Sequence, residues 1–418
     1  MTSSPLFSLK ARSFRTFRKE SELDIYPLTF LYGFNQAGKS TMLRLLPLLA
    51  DSLQNDAGPL DLQSPALCGA TFKELGWLGR EPVLSPWLTL IAPSLQPRIT
   101  LKIQFTDDVG LVVNRLNLVQ GETNDVFTAD FDGAAIRDGN RCEADYAGKY
   151  LDDNWHGTLK FSSLFPEKGL PEQAEKLVRS VNKELEPLQR IQWLNANRLN
   201  EGHGITRKIR CCCASASDLP SVLSVSNEVA TVLESASKWM DQQEGMGNAI
   251  KLRKNSSGQP ELVHGTVGRE DLPLHLAGDG IRALLPILLC ACWAETKAPN
   301  TPTFLAVEEP EAHLHPSLQV ALFDRLVETI RADIPVVLET HSVYLLRAMQ
   351  LAVLEGRLSP EHVGLHWIEQ DLDGGAKSTV IGINPDATLT NWRPDIFEKE
   401  QELAHQILDF RWKKGIVR

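Results

Sequence analysis

The chain has 418 residues, 43% hydrophobic and 23% charged, a balance that supports a sizeable core and places it in the globular class. Fifty-three acidic against 43 basic side chains give a net charge of -10, which argues against a permanent nucleic-acid coat but leaves room for a local basic groove. Seven cysteines, three of them consecutive at Cys211 to Cys213, form neither a disulfide framework nor paired C-x-x-C knuckles. The N-terminus lacks a signal-peptide core, and no apolar run reaches the ~18 residues of a membrane helix. The expectation is a cytoplasmic protein with no membrane partner.

In chain order, residues 6–32 read as short strands that end at the glycine-containing run GFNQAGKST, Gly33 to Thr41. From Ser40 to about Leu53 the apolar pattern is helical despite Pro47. Residues 56–165 carry strand-like pieces such as RITLKIQF and GLVVNRLNLV between Gly, Pro, Asn and Asp, the texture of antiparallel sheet. Two helical patterns follow between 171 and 250, too short and too unsustained for a coiled-coil arm. After 272 come an apolar helix (Ile281 to Trp293), the strand TFLAVEE, the helix PSLQVALFDRLVETIRA and the strand PVVLETHS. That alternation predicts a parallel sheet. A hairpin turning at DGG and a helix over 395–412 complete the chain. The expected units are 1–165, an N-terminal lobe with an antiparallel subdomain; 166–270, a helical insertion; and 271–418, a C-terminal lobe.

Gly33, Gly38, Lys39 and Ser40 satisfy G-x-x-x-x-G-K-[ST] with a strand before and a helix after, which is the context the chemistry requires. Loop and helix N–H groups would surround phosphate, Lys39 would neutralise it, and the Ser40 hydroxyl would ligate Mg²⁺. The nucleotide-binding set is Gly33, Asn35, Gln36, Ala37, Gly38, Lys39, Ser40 and Thr41. Glu308 and Glu309 end an apolar strand where ligands of open α/β sheets bind. Glu308 is expected to hold Mg²⁺ and Glu309 to polarise the attacking water. His341, after the next strand, can donate to a γ-phosphate. His313 and His315 lack a third ligand and shape a turn.

Together SFRTF, GFNQAGKST, VEEPEAHLHP and LETHS resemble the ATP-binding-cassette type of P-loop ATPase, in the SMC, RecF and OLD branch often described as AAA-family ATPases. The tail, with INPDATLTNW, resembles a bacterial subgroup from anti-phage defence loci. The resemblance implies an α/β head with a mixed, largely parallel P-loop sheet, an antiparallel β subdomain and a short helical insertion. It implies ATP and Mg²⁺ as cofactors and a head-to-head homodimer, or a higher oligomer, in which each nucleotide also meets a partner head's signature turn. Leu276-Ala-Gly-Asp-Gly-Ile-Arg282 is similar to that turn, with Gly278 where serine is usual, so Gly278, Asp279 and Gly280 join the nucleotide-binding set; a plain helix-capping turn is the other reading. The resemblance also asks for a glutamine near the metal, for which Gln104 is the candidate, and points to Arg198 in IQWLNANR.

No long arms and no appended nuclease domain are expected, so a nuclease or toxin effector would be a separate polypeptide. Two other readings stay open: a RecF-type DNA repair ATPase, and an ATP-bound scaffold that sequesters a toxin with little turnover. Nucleic acid remains a possible partner, with Arg207, Lys208 and Arg210 among the basic side chains that could meet it. The Glu-Glu pair and His341 suit water activation better than a kinase reaction. Asp371 and Asp373 read as part of a hairpin turn rather than a metal pair.

Overall fold

The computed structural model describes residues 4–54, 58–77, 86–93, 95, 98–106, 111–122, 124–132, 143–196, 219–265, 271–392, 405–408 and 410–412. Arg198, Cys211 to Cys213, Arg207, Lys208 and Arg210 lie outside the described residues.

A seven-stranded sheet organises the molecule, in the order Ile191–Leu194, Phe304–Glu308, Val336–Glu339, Leu28–Gly33, Val363–Gln370, Ala376–Ile383 and Leu389–Thr390. The first five strands are parallel; Ala376–Ile383 turns back antiparallel to them, and Leu389–Thr390 pairs antiparallel with it in turn. Alternate side chains of each strand face opposite layers, as the two-residue strand period requires. Phe304, Ala306, Val337 and Leu31 enter one core with the helix Lys39–Gln54 and the antiparallel sheet. Leu305, Val307, Val336, Leu338 and Phe30 enter the other, with the helices Asp279–Glu295, Pro316–Arg331 and Val343–Leu354.

The expected antiparallel region is an eight-stranded sheet, in the order Ser21–Ile25, Phe7–Arg12, Trp87–Ala92, Ile99–Thr106, Val112–Gln120, Asn124–Phe131, Glu143–Tyr150 and Asp153–Lys160. The segment 166–270, expected as a helical insertion, is more mixed. It supplies the helices Glu172–Glu184 and Val229–Asp241, but also the sheet strand Ile191–Leu194 and two strands of a small three-stranded sheet, Ala249–Lys254 and Pro260–Gly265. Helix Lys39–Gln54 keeps Pro47 inside it. A mid-helix proline costs ~3 kcal/mol, less than the burial of Met42, Leu43, Leu45, Leu46, Leu48 and Leu49, each contributing ~1.5–3 kcal/mol.

The hairpin turns at Asp371 to Gly375, where Gly374 N–H donates to Asp371 O at 2.9 Å. Lys19 pairs with the Asp371 and Asp373 carboxylates, which supports the turn reading. Of the terminal helix, 405–408 and 410–412 are described and helical, and no helix among the described residues is long and apolar enough to cross a membrane.

Candidate nucleotide site at the sheet edge

The strands Phe304–Glu308, Val336–Glu339 and Leu28–Gly33 run parallel and adjacent, with Glu308 beside Glu339 and Glu339 beside Leu31. Glu308 shares its face with Phe304 and Ala306, and Glu339 with Val337, so both carboxylates point toward the layer of helix Lys39–Gln54. The loop joining Leu28–Gly33 to that helix carries Gly33 to Gly38.

The loop's shape depends on its glycines. Gly38 has φ +105°, and a Cβ there would meet Thr16 Oγ1 at 2.6 Å. At Gly33, with φ +153°, a Cβ would fall 2.0 Å from the Ile368 carbonyl of the adjoining strand. Gln36 also has positive φ, 62°, and Gln370 donates to its carbonyl at 3.1 Å. Successive positive-φ positions ahead of a helix N-terminus turn backbone N–H groups into an anion cradle. Asn35 and Gln36 are exposed, Thr41 is half-buried and Ala37 is buried. Lys39 is buried and donates to Phe34 O at 2.9 Å. Burial lowers its pKa, against the pull of Glu339, Glu309 and Glu311. This cradle fits phosphate.

Ser40 and Arg44 lie four residues apart, hence on one helix face, and each takes a different glutamate. Ser40 Oγ donates to Glu339 Oε1 at 2.6 Å. Arg44 grips Glu308 in a fork, Nε to Oε1 at 2.6 Å and Nη2 to Oε2 at 2.7 Å, with its guanidinium 5.6 Å from the Trp193 ring centre. Trp193 Nε1 donates to Glu308 Oε1 at 3.0 Å and Ala196 N–H to Oε2 at 3.3 Å. Burial opposes the Arg44 charge, and the Glu308 bonds outweigh it, so its pKa rises.

Glu339 is 3% exposed and its Oε2 has no hydrogen-bond partner among the described residues. Burial first, then neighbouring Glu308, push its pKa up to about 7, against the Ser40 bond and the charges of Lys39 and Arg44. Glu309, half-buried, has left-handed φ of 45° just past the strand and donates its N–H to Glu339 O at 2.7 Å. Glu311 receives the Thr340 hydroxyl and the His341 N–H, both at 2.7 Å, which fixes the His341 loop over the same edge. His341 is exposed on one side, yet burial of the rest of the ring and then the Lys39 charge push its pKa down to about 4. Its imidazole is neutral at pH 7.

The metal set expected from sequence was Ser40, Glu308 and Gln104. The structure does not bring these three together. Ser40 meets Glu339, whereas Glu308 meets Arg44, Trp193 and Ala196. Gln104 lies mid-strand in the antiparallel sheet and accepts from Asn114 Nδ2 at 3.4 Å. Alternation in LKIQF places it on a strand of the antiparallel sheet, as the sequence texture of 56–165 also reads. The missed residues, Arg44, Trp193, Glu311 and Glu339, left partial signals: the i,i+4 spacing of Ser40 and Arg44, and two apolar strands that each end in glutamate.

The signature-like turn caps helix Asp279–Glu295, with Gly278 at the N-cap. Gly278 and Asp279 are exposed, and a Cβ at Gly280 would approach the His313 carbonyl to 3.0 Å. His315 Nδ1 accepts from Ser317 N–H at 3.4 Å and caps helix Pro316–Arg331, and His313 has left-handed φ of 64° in the turn before it.

A solved SMC head bound to the C-terminal winged-helix domain of ScpA superposes with TM-score 0.50 at 11% identity, over 90% of this chain and 97% of that one. The Smc head with an extended coiled coil, bound to the C-terminal domain of ScpA from Pyrococcus furiosus, gives TM-score 0.51 at 10% identity over 96% and 98%. The fold is that of an SMC ATPase head. The family model for the AAA ATPase domain matches residues 146–346, which include Glu308, Glu309 and His341 but not the P-loop. These matches support the SMC/RecF-like AAA resemblance drawn from the motifs. No curated protein matches the chain in sequence.

Proposed function

We propose that the chain is a Mg²⁺-dependent ATPase whose nucleotide state closes and opens a head-to-head dimer, and that a partner effector reads this state. The observation that carries the reading is the convergence of Lys39, Ser40, Glu309, Glu339 and the His341 loop at one edge of three adjacent parallel strands. Gly33 to Thr41 would hold the phosphates, and Lys39 would turn from the Phe34 carbonyl to the β- and γ-oxygens. Glu309 would orient the attacking water and accept its proton, and neutral His341 would donate to a γ-phosphate oxygen. Bound Mg²⁺, reached by the Ser40 hydroxyl and a buried carboxylate, would neutralise charge on the β- and γ-phosphates.

The exposed turn at Gly278 to Gly280 is the surface offered to a second head. It supplies helix N-terminal N–H groups to a nucleotide held across the interface, and contacts made only in the closed state are what let a nucleotide act as a switch. The ScpA-bound SMC heads support a separate polypeptide partner for this fold. The motif resemblance of the tail supports bacterial anti-phage defence as the setting.

The test is phosphate release from Mg-ATP together with nucleotide binding. Lys39→Ala should abolish binding, whereas Glu309→Gln should bind ATP and hydrolyse it at least about 100-fold more slowly. Equal hydrolysis rates in wild type and Glu309→Gln would sink the assignment.

A further inference from the structure

Two carboxylates lie side by side under the P-loop helix, and they are satisfied differently. Both Glu308 oxygens are engaged, by Arg44, Trp193 and Ala196. Releasing them would break a bidentate ion pair whose carboxylate is buried, leaving that charge without its cation. Glu339 has one oxygen on the Ser40 hydroxyl and the other, Oε2, without a partner among the described residues, in a side chain that is 3% exposed. A buried carboxylate oxygen without a donor is destabilising unless something outside the protein meets it. Its neighbour, Ser40, is the hydroxyl that a P-loop presents to a cation.

We propose that Glu339, rather than Glu308, is the protein carboxylate that meets the divalent cation of the bound nucleotide, directly or through one water. Glu308 instead stays in its clamp and anchors Arg44. The proposal rests on the nucleotide-site reading above. A hard dication suits this pair, because Mg²⁺ takes one or two protein oxygens and completes its shell with phosphate and water.

The experiment measures ADP affinity of the full chain by isothermal titration with Mn²⁺ and with EDTA, alongside the paramagnetic resonance spectrum of bound Mn²⁺. In wild type, Mn²⁺ should strengthen ADP binding by about tenfold or more. In Glu339→Gln that gain should fall below about threefold and the bound-Mn²⁺ signal should weaken, with metal-free ADP binding retained as the check on the fold. Glu308→Gln should keep the gain. Glu339→Asp, which preserves charge with a shorter reach, should recover part of it and is the second variant if the amide fails to fold. A full gain in Glu339→Gln with loss in Glu308→Gln would overturn the proposal and leave the ATPase reading intact. A wild-type chain that binds no ADP in either condition would overturn both.

Discussion

Replacing Glu339 by glutamine should stabilise the metal- and nucleotide-free protein in alkaline solution relative to acid. Burial and neighbouring Glu308 push this carboxyl from 4.5 up to about 7. Below pH 4.5 it is protonated both folded and unfolded and costs nothing. Between these values the folded state binds the extra proton, so stability falls as pH rises, and above pH 7 the full cost of a buried charge is present. Between pH 5 and pH 8 the wild type should therefore lose roughly 2–3 kcal/mol from this group alone. Glutamine keeps an oxygen for Ser40 and does not titrate. Its unpaired amide N–H costs the variant equally at both pH values, so the readout is the change in the difference between the two proteins. At ~2.1 cal/mol/K per residue, a chain of 418 residues turns that loss into about 3 °C. Thermal melts of both proteins in EDTA at pH 5 and pH 8 measure it. A variant-minus-wild-type difference that is the same at both pH values would refute the reasoning, because it would mean that Glu339 is ionised without penalty.

Arg44→Ala should destabilise the chain by ~3–5 kcal/mol, since it leaves Glu308 buried without its cation; adding Glu308→Gln should recover part of that loss, checked by denaturant midpoints. Glu311→Gln should weaken the hold on the His341 N–H, lowering phosphate release by about tenfold while ATP affinity measured by titration changes less than about threefold. Gly38→Ala should abolish nucleotide binding in the same titration, because a Cβ there meets Thr16 and strains a φ of +105°. Arg44→Lys should not restore the Arg44→Ala stability loss in full, because an ammonium cannot reproduce the two-pronged grip on Glu308.

The elements that position the site were legible because their signals are local. GFNQAGKST stood between an apolar strand and an amphipathic helix, and Glu308 and Glu309 closed a run too apolar for anything but a buried strand. What was hidden depends on register. Whether Glu339 faces the P-loop helix or the opposite core is decided by a one-residue choice in pairing Val336–Glu339 against its neighbours. No pattern within PVVLETHS sets that choice. Gln104 is a related case: alternation and the Gly/Pro-rich texture identify its strand and sheet, whereas its relation to Ser40 depends on how the two sheets pack. The strand Ile191–Leu194 was obscured by its four-residue length and by the helices Glu172–Glu184 and Glu186–Gln189 just before it.

The most direct test of the account is the native mass of the Glu309→Gln chain in Mg-ATP, with Lys39→Ala and the Mg-ADP state beside it. The account predicts a dimer or larger particle for Glu309→Gln in Mg-ATP, and the smaller species in the other two. One mass in all three conditions would contradict a nucleotide-driven dimer switch.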